Sequence, residues 1–212
     1  MATLYYTDIK SLSLDDESLL SRLTQERLKK VDRFRFKNDK LRSLAADLLI
    51  QHIYQDLSLL RFNQFNKPYI IDGLPFNISH SGDYVILLVG DGEEVGCDIE
   101  KNGDKDMKGV AERILHPKEK NTFYYKSKVD PLVFYRYWTL KESYMKCVGK
   151  GFHLYPESFA LDLSEDISVI ETPEKDFRDC TFNILDIIND YTVATCRKGI
   201  NLPPLETIKI RF

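Results

Sequence analysis

Val95-Gly96-Cys97-Asp98-Ile99-Glu100 is the stretch on which the fold turns. As a strand it sends Val95, Cys97 and Ile99 to one side and Asp98 and Glu100 to the other, because successive strand side chains face opposite ways. Just upstream, Tyr84-Val85-Ile86-Leu87-Leu88-Val89 reads as a buried strand, and Gly90-Asp91-Gly92 reads as a turn. The spacing predicts a hairpin between Tyr84 to Val89 and Glu94 to Glu100, with both carboxylates on a common face. Before it, Asn77-Ile78-Ser79-His80-Ser81-Gly82 has a loop-like composition that would present an imidazole and backbone amides to an anion.

Working outward, Leu4 to Ile9 fits a first strand, and Asp15 to Phe36 is charged and helix-compatible. Asn38 is placed to cap a helix whose Leu41, Leu44, Ala45 and Leu48 share one side, widened by Leu49 and Ile53. Gly103 to Lys108 is polar and marks a passage between two halves. A helical segment from Val110 to Tyr125 is interrupted at His116-Pro117, since proline lacks the backbone donor and restrains its predecessor. A second helix starts after Pro131, runs toward Cys147 and stops at Gly149-Lys150-Gly151. Phe159 to Leu163, Ser168 to Ile170, Phe177 to Leu185 and Tyr191 to Cys196 supply strands for a second sheet. The whole pattern is that of an α+β fold. Phe76-Asn77-Ile78 before Asp83-Tyr84-Val85 resembles Phe182-Asn183-Ile184 before Asp190-Tyr191, a faint internal repeat.

Composition narrows the function. A chain of 212 residues with 43% hydrophobic content can bury a substantial core. The formal charge of -3 gives no global field for nucleic acid or an anionic membrane. Without a long apolar run or a signal-like N-terminus, the expectation is a soluble cytoplasmic protein. Cys97, Cys147, Cys180 and Cys196 are far apart in sequence and have no zinc-like partners, which predicts buried reduced thiols rather than a disulfide scaffold or a catalytic dithiol.

Trp138-Thr139-Leu140-Lys141-Glu142-Ser143-Tyr144-Met145-Lys146 carries the other charged group. Helical spacing puts Trp138, Glu142 and Lys146 on one side and turns Lys141 elsewhere. Glu142 and Lys146 alone suit an exposed i,i+4 ion pair as well as a site. With Asp98 and Glu100, however, the oxygen donors match what magnesium accepts in a shell completed by phosphate, while Lys146 would oppose phosphate charge.

Phe76-Asn77-Ile78-Ser79-His80-Ser81-Gly82, Gly96-Cys97-Asp98-Ile99-Glu100 and Trp138 to Lys146 together resemble the ordered signatures of the Sfp-type 4'-phosphopantetheinyl transferases. The resemblance implies two similar α+β halves, residues 1–100 and 101–212, related by approximate twofold symmetry, with coenzyme A in the cleft between them. It implies magnesium-dependent transfer of 4'-phosphopantetheine to a serine of an apo acyl, peptidyl or aryl carrier protein. Asp98, Glu100 and Glu142 match the magnesium-associated acids, and Lys146 matches the lysine near the reacting phosphates. Glu142 would be the general base. His80 matches a pyrophosphate-contacting histidine and Lys67 a cation on the nucleotide, with Ser79 among the residues that bind coenzyme A. Arg27, Lys30 and Arg42, with Ser43, fall where the family binds the adenosine-phosphate end. Lys118, Lys120, Lys126 and Lys128 would face an acidic carrier, and the enzyme would be a monomer. Cys97 stands where an aliphatic residue is more usual, a substitution the core tolerates because cysteine packs as a small hydrophobe.

Overall fold

The structure, a computed structural model, describes residues 1–103, 107–164 and 166–212. Its first half runs β1 (Thr3–Asp8), α1 (Glu17–Leu20), α2 (Gln25–Asp32), α3 (Lys37–Tyr54), the ribbon β2 (Leu60–Phe62) and β3 (Pro68–Ile70), then β4 (Phe76–Ser81) and β5 (Tyr84–Val89). The second half repeats that plan with β6 (Val95–Lys101), α4 (Lys108–Ile114), α5 (Pro117–Lys126), α6 (Val133–Val148), the ribbon β7 (Ala160–Asp162) and β8 (Ser168–Glu171), then β9 (Cys180–Leu185) and β10 (Tyr191–Lys198). A last strand, β11 (Glu206–Lys209), returns to pair parallel with β1.

The two sheets have the orders β11-β1-β5-β4 and β6-β10-β9. β1 lies antiparallel to β5 and β5 to β4, while β6 lies antiparallel to β10 and β10 to β9. Thus β6, α6, β9 and β10 are the counterparts of β1, α3, β4 and β5, and the internal repeat falls on equivalent strands. The protein is an α+β pair of pseudo-symmetric halves, as its sequence implies.

Burial explains why β5 is apolar throughout. Val85, Leu87 and Val89 pack with Leu41, Leu44 and Leu48 of α3. The alternate residues Ile86 and Leu88, with Leu4, meet Val95, Cys97, Ile99 and Val193 of the second sheet. A third apolar body joins Leu140, Tyr144 and Met145 of α6 to Phe182 and Ala194. The layers therefore run helix, sheet, sheet, helix, and a strand buried on both faces needs no polar alternation.

Several expectations are corrected. β5 and β6 do not form a hairpin: β5 pairs with β4 and β1, and β6 pairs with β10, so the 90–94 turn passes the chain from one sheet to the other. Two buried faces leave a strand's hydrophobic pattern blind to its neighbour in the sheet. The Asn77 to Ser81 segment is strand rather than loop, paired with β5 through His80 opposite Val85. Asn38 does not cap α3, which starts at Lys37 with Phe36 in the cap position; Arg42 and Ser43 consequently lie in its second turn. The stretch from Asp15 to Phe36 is two helices, each begun by its own side-chain cap, Asp16 and Thr24. The break at His116-Pro117 is present, with His116 and Glu119 forming a capping box and Pro117 at the first helical position. α6 ends on Gly149 at φ 81, a left-handed turn that glycine adopts without strain. The expected passage from Gly103 to Lys108 lies partly outside the described residues.

Candidate active site

Gly96 sets the geometry. A Cβ there would overlap the carbonyl oxygen of Ser143 and the amide of Cys147, so α6 lies directly on the backbone of β6. The strand's period of two then directs Asp98 and Glu100 at the same helix. Gly96 faces Ser143 and Cys147, Asp98 faces Lys146, and Glu100 faces Trp138, so α6 runs antiparallel to β6. That orientation brings a strand pair and a helix pair 42 to 48 residues apart into one constellation.

Asp98 is buried, at 1% exposure. Its Oδ1 accepts from Lys146 Nζ at 2.5 Å and from Ser79 Oγ at 2.8 Å. Its Oδ2 is buried without a hydrogen-bond partner. Lys146 Nζ also lies 3.0 Å from Glu142 Oε2 and donates to Ser79 Oγ at 3.0 Å. Burial pushes the Asp98 carboxyl up to about 7, opposed by the Lys146 charge and reinforced by the negative charge of Glu142. Burial alone would pull Lys146 down, but Asp98 and Glu142 overcome it and hold the ammonium above its ordinary range. At neutral pH Lys146 is a fixed cation.

Glu100 is held by two donors, Ser81 Oγ at 2.9 Å and Trp138 Nε1 at 3.2 Å. Ser79 and Ser81 share a face of β4, and with Asn77, whose Oδ1 accepts from the Cys97 amide at 3.0 Å, they stitch the edge of the first sheet to β6. His80 projects the other way and is exposed. Desolvation by its surroundings, followed by the Arg42 charge, lowers its pKa, which favours a neutral ring. Arg42 bridges Asp39 and the carbonyl of Gly82, the latter at 2.7 Å, beside the β4–β5 turn.

Lys67 does not point at the acids. Its Nζ bonds Glu94 at 2.5 Å and the carbonyls of Val95 and Cys147 at 3.2 and 3.1 Å, neutralising the C-terminal end of α6. It nevertheless lines, with Pro68, Asn77, Ile78, Lys146 and Gly149, a cavity of about 290 Å³ that opens beside the Lys146 ammonium. Arg27 and Lys30 converge elsewhere, on buried Asp47 of α3, Arg27 by direct ion pairing and Lys30 at 4.0 Å. Ser43 lies one helical turn before Asp47, with its hydroxyl buried and unpartnered. Of the lysines expected to face a partner, Lys118 pairs with Glu171 and Lys120 with Glu112, and Lys126 donates to the Leu163 carbonyl.

Sequence reasoning missed Ser81 and the donor role of Trp138, both of which position Glu100. The matching parity of Ser79 and Ser81 is the available signal, which a loop reading of the segment hides. Lys141 does turn away from the site, into a fully buried pair with Glu119 at 2.8 Å.

Comparison with known proteins follows the same division. Residues 94–196 match the family model of the 4'-phosphopantetheinyl transferase superfamily, and residues 14–91 match that of 4'-phosphopantetheinyl transferase, N-terminal. The chain is 33% identical over 210 residues to 4'-phosphopantetheinyl transferase Sfp of Bacillus subtilis, covering 93% of this chain and 92% of that protein. The chain belongs to the 4'-phosphopantetheinyl transferase superfamily. It is also similar to 4'-phosphopantetheinyl transferase gsp of Aneurinibacillus migulanus, 33% identical over 201 residues with 91% and 84% coverage. A more distant relative is the L-aminoadipate-semialdehyde dehydrogenase-phosphopantetheinyl transferase of Xenopus laevis, 28% identical over 201 residues with 80% and 66% coverage. The two transferase family matches meet between residues 91 and 94, in the turn where the chain passes from the first sheet to the second.

Proposed function

We propose that this chain transfers 4'-phosphopantetheine from coenzyme A to a serine hydroxyl of an apo acyl, peptidyl or aryl carrier protein, releasing adenosine 3',5'-bisphosphate. The observation that carries the reading is the buried, unpartnered Oδ2 of Asp98 beside Glu142 and Lys146. A buried carboxylate oxygen without a partner costs at least about 1–3 kcal/mol, a cost that a cation would remove. An all-carboxylate donor set suits a hard divalent ion such as magnesium, so Asp98, Glu100 and Glu142 would hold it. When bound, magnesium would neutralise charge on the pyrophosphate and make its phosphorus more electrophilic.

The chain's own residues divide the remaining work. Glu142 accepts the proton of the incoming serine hydroxyl, directly or through one water. Lys146, held as a cation, stabilises charge on the departing bisphosphate through electrostatics rather than by giving up its proton. Ser79 fixes both Asp98 and Lys146. Neutral His80 can donate a ring N–H to a pyrophosphate oxygen, with Arg42 behind it supplying charge. The cavity lined by Lys67, Pro68 and Ile78 would take the nucleotide end of coenzyme A, and Arg27, Lys30 and Ser43 would form a more distant phosphate contact around Asp47. The site would lie where β4 of the first half meets β6 and α6 of the second, in a monomer acting in the cytoplasm. No described helix is long and apolar enough to cross a membrane. The direct experiment incubates the protein with apo carrier domains, coenzyme A and magnesium and reads intact carrier mass. A phosphopantetheine-sized gain that requires magnesium is expected. Unmodified carriers across a competent panel, or free phosphate release in their place, would defeat the reading.

A further inference from the structure

Cys147, Cys180 and Cys196 are 33 and 16 residues apart in sequence, yet their sulfurs all lie within 4.8 Å of one another. Topology gathers them. Cys196 faces Phe182 and Cys180 faces Lys198 across the β9–β10 ladder, so the two strand cysteines share one face two residues out of register. The last turn of α6 lowers Cys147 onto that face. The cluster belongs to the apolar body under α6. Cys147 and Cys196 are fully buried, whereas Cys180 keeps 6% exposure and gives the cluster its one edge toward solvent.

The electrostatics single out Cys180. The neighbouring Cys147 and Cys196 thiols lower its pKa against the effect of burial, while Cys180 donates to the Phe177 carbonyl and Cys147 to the Glu94 carbonyl, each at 3.3 Å. Burial raises the other two thiols. Three sulfurs converging in a dry core, with only backbone carbonyls as other partners, form an arrangement that a thiophilic cation can occupy. Lys67 and Lys198 contribute the nearby positive charge. Among the described residues no fourth histidine, cysteine or carboxylate joins the group. Structural zinc wants four ligands, whereas soft thiolate donors select copper(I).

We propose that Cys147, Cys180 and Cys196 form a three-thiolate site for copper(I). Binding forms three Cu–S bonds with no change of oxidation state. Each thiol that carries a proton releases it to solvent on binding, so all three sulfurs coordinate as thiolates. The bound ion ties the C-terminal turn of α6 to β9 and β10, so the loaded protein is more stable than the free one.

The test is anaerobic titration of the whole protein with copper(I) against a competing copper(I) chelator. One ion per chain should be retained, with sulfur-to-copper charge-transfer absorption, a raised thermal midpoint and three sulfur neighbours by X-ray absorption. Cys180→Ser should weaken binding by more than the roughly 10–100-fold that loss of an outer-shell partner costs. Cys97→Ser should leave binding unchanged, because Cys97 lies outside the cluster with its thiol on the Asn77 carbonyl. The proposal fails if the chelator strips the ion, if Cys180→Ser binds like the parent, or if zinc(II) is retained where copper(I) is not. Should Cys180→Ser not fold, fewer than three sulfur neighbours in the unmodified protein overturns it equally.

Discussion

Lys146 shows how neighbours decide what one side chain can do. A desolvated lysine ordinarily drifts toward neutrality, yet Asp98 and Glu142 hold this one charged. It is therefore suited to opposing phosphate charge, which in the proposed mechanism leaves proton removal to Glu142. Glu142→Gln keeps an oxygen for Lys146 but loses the base. Carrier modification should fall by about 10²–10⁴-fold, the usual contribution of a general base, with the thermal midpoint essentially retained. Undiminished turnover by intact mass would remove Glu142 from that role. Asp98 carries the pH dependence. Its folded pKa of about 7 lies above the 3.8 of a free carboxyl, first through burial. Between those values the folded state binds more protons than the unfolded one, so metal-free stability contributed by this group falls as pH rises through the window. Magnesium at the proposed site would need the ionised form, so any thermal stabilisation by added magnesium should grow as pH rises toward and past 7. A magnesium-induced midpoint shift that is flat with pH, or that survives in Asp98→Asn, would contradict this placement.

At the scale of elements, α6 is positioned by what is missing from β6 and by a charge buried behind the site. Gly96→Ala inserts a methyl group against helix backbone that has no rotamer to move. Overpacking of this kind costs about 1–3 kcal/mol, so the urea midpoint should drop and transfer should fall with it as Glu142 and Lys146 are displaced. On the far side, Lys141 Nζ reaches Glu119 and the carbonyls of Pro156 and Phe159, pinning α6 to α5 and to the segment before β7. Lys141→Met leaves the Glu119 carboxylate buried without its cation and should cost about 3–5 kcal/mol by denaturant unfolding, while adding Glu119→Leu should recover only part of it, because that carboxylate also accepts from the His116 and Leu161 amides. A double variant as unstable as the single one would show that the pair is not the source of the loss. These contacts also mark how far the sequence could be read. α6 was legible because its stop at Gly149 and its polar stripe are local, and the alternation of Asp98 and Glu100 gave their common face directly. The partner of β6 was not legible, because a strand buried on both faces looks the same beside β5 or beside β10. Nor could spacing reveal that Arg27 and Lys30 turn to Asp47, or that three scattered cysteines meet, since each depends on tertiary packing.

Across the whole molecule, the two halves share too much surface to act as separate bodies. Leu4, Ile86, Leu88, Cys97, Ile99 and Val193 are all fully buried between the sheets. At about 1.5–3 kcal/mol for each large aliphatic side chain buried, exposing that layer would outweigh the few kcal/mol that either half retains alone. The C-terminal segment adds a second tie. After β10 the chain crosses back so that β11 pairs with β1, the Ile210 amide donates to the Tyr6 carbonyl at 2.9 Å, and Phe212 sits under the Arg22 guanidinium at 5.3 Å. Ile210 and Phe212 also cover the core beneath α3. Removing residues 205–212 should therefore weaken the first half locally yet lower stability everywhere, because unfolding of one half uncovers the inner layer of the other. Trp138, the single tryptophan, lies in the second half and reports on it alone, while far-ultraviolet circular dichroism follows both. In urea the two signals should trace one transition in the full chain and one transition at lower midpoint after truncation. If the truncated chain lost part of its dichroism before the Trp138 signal moved, the halves would be separable, and the inner apolar layer would be too weak to couple them.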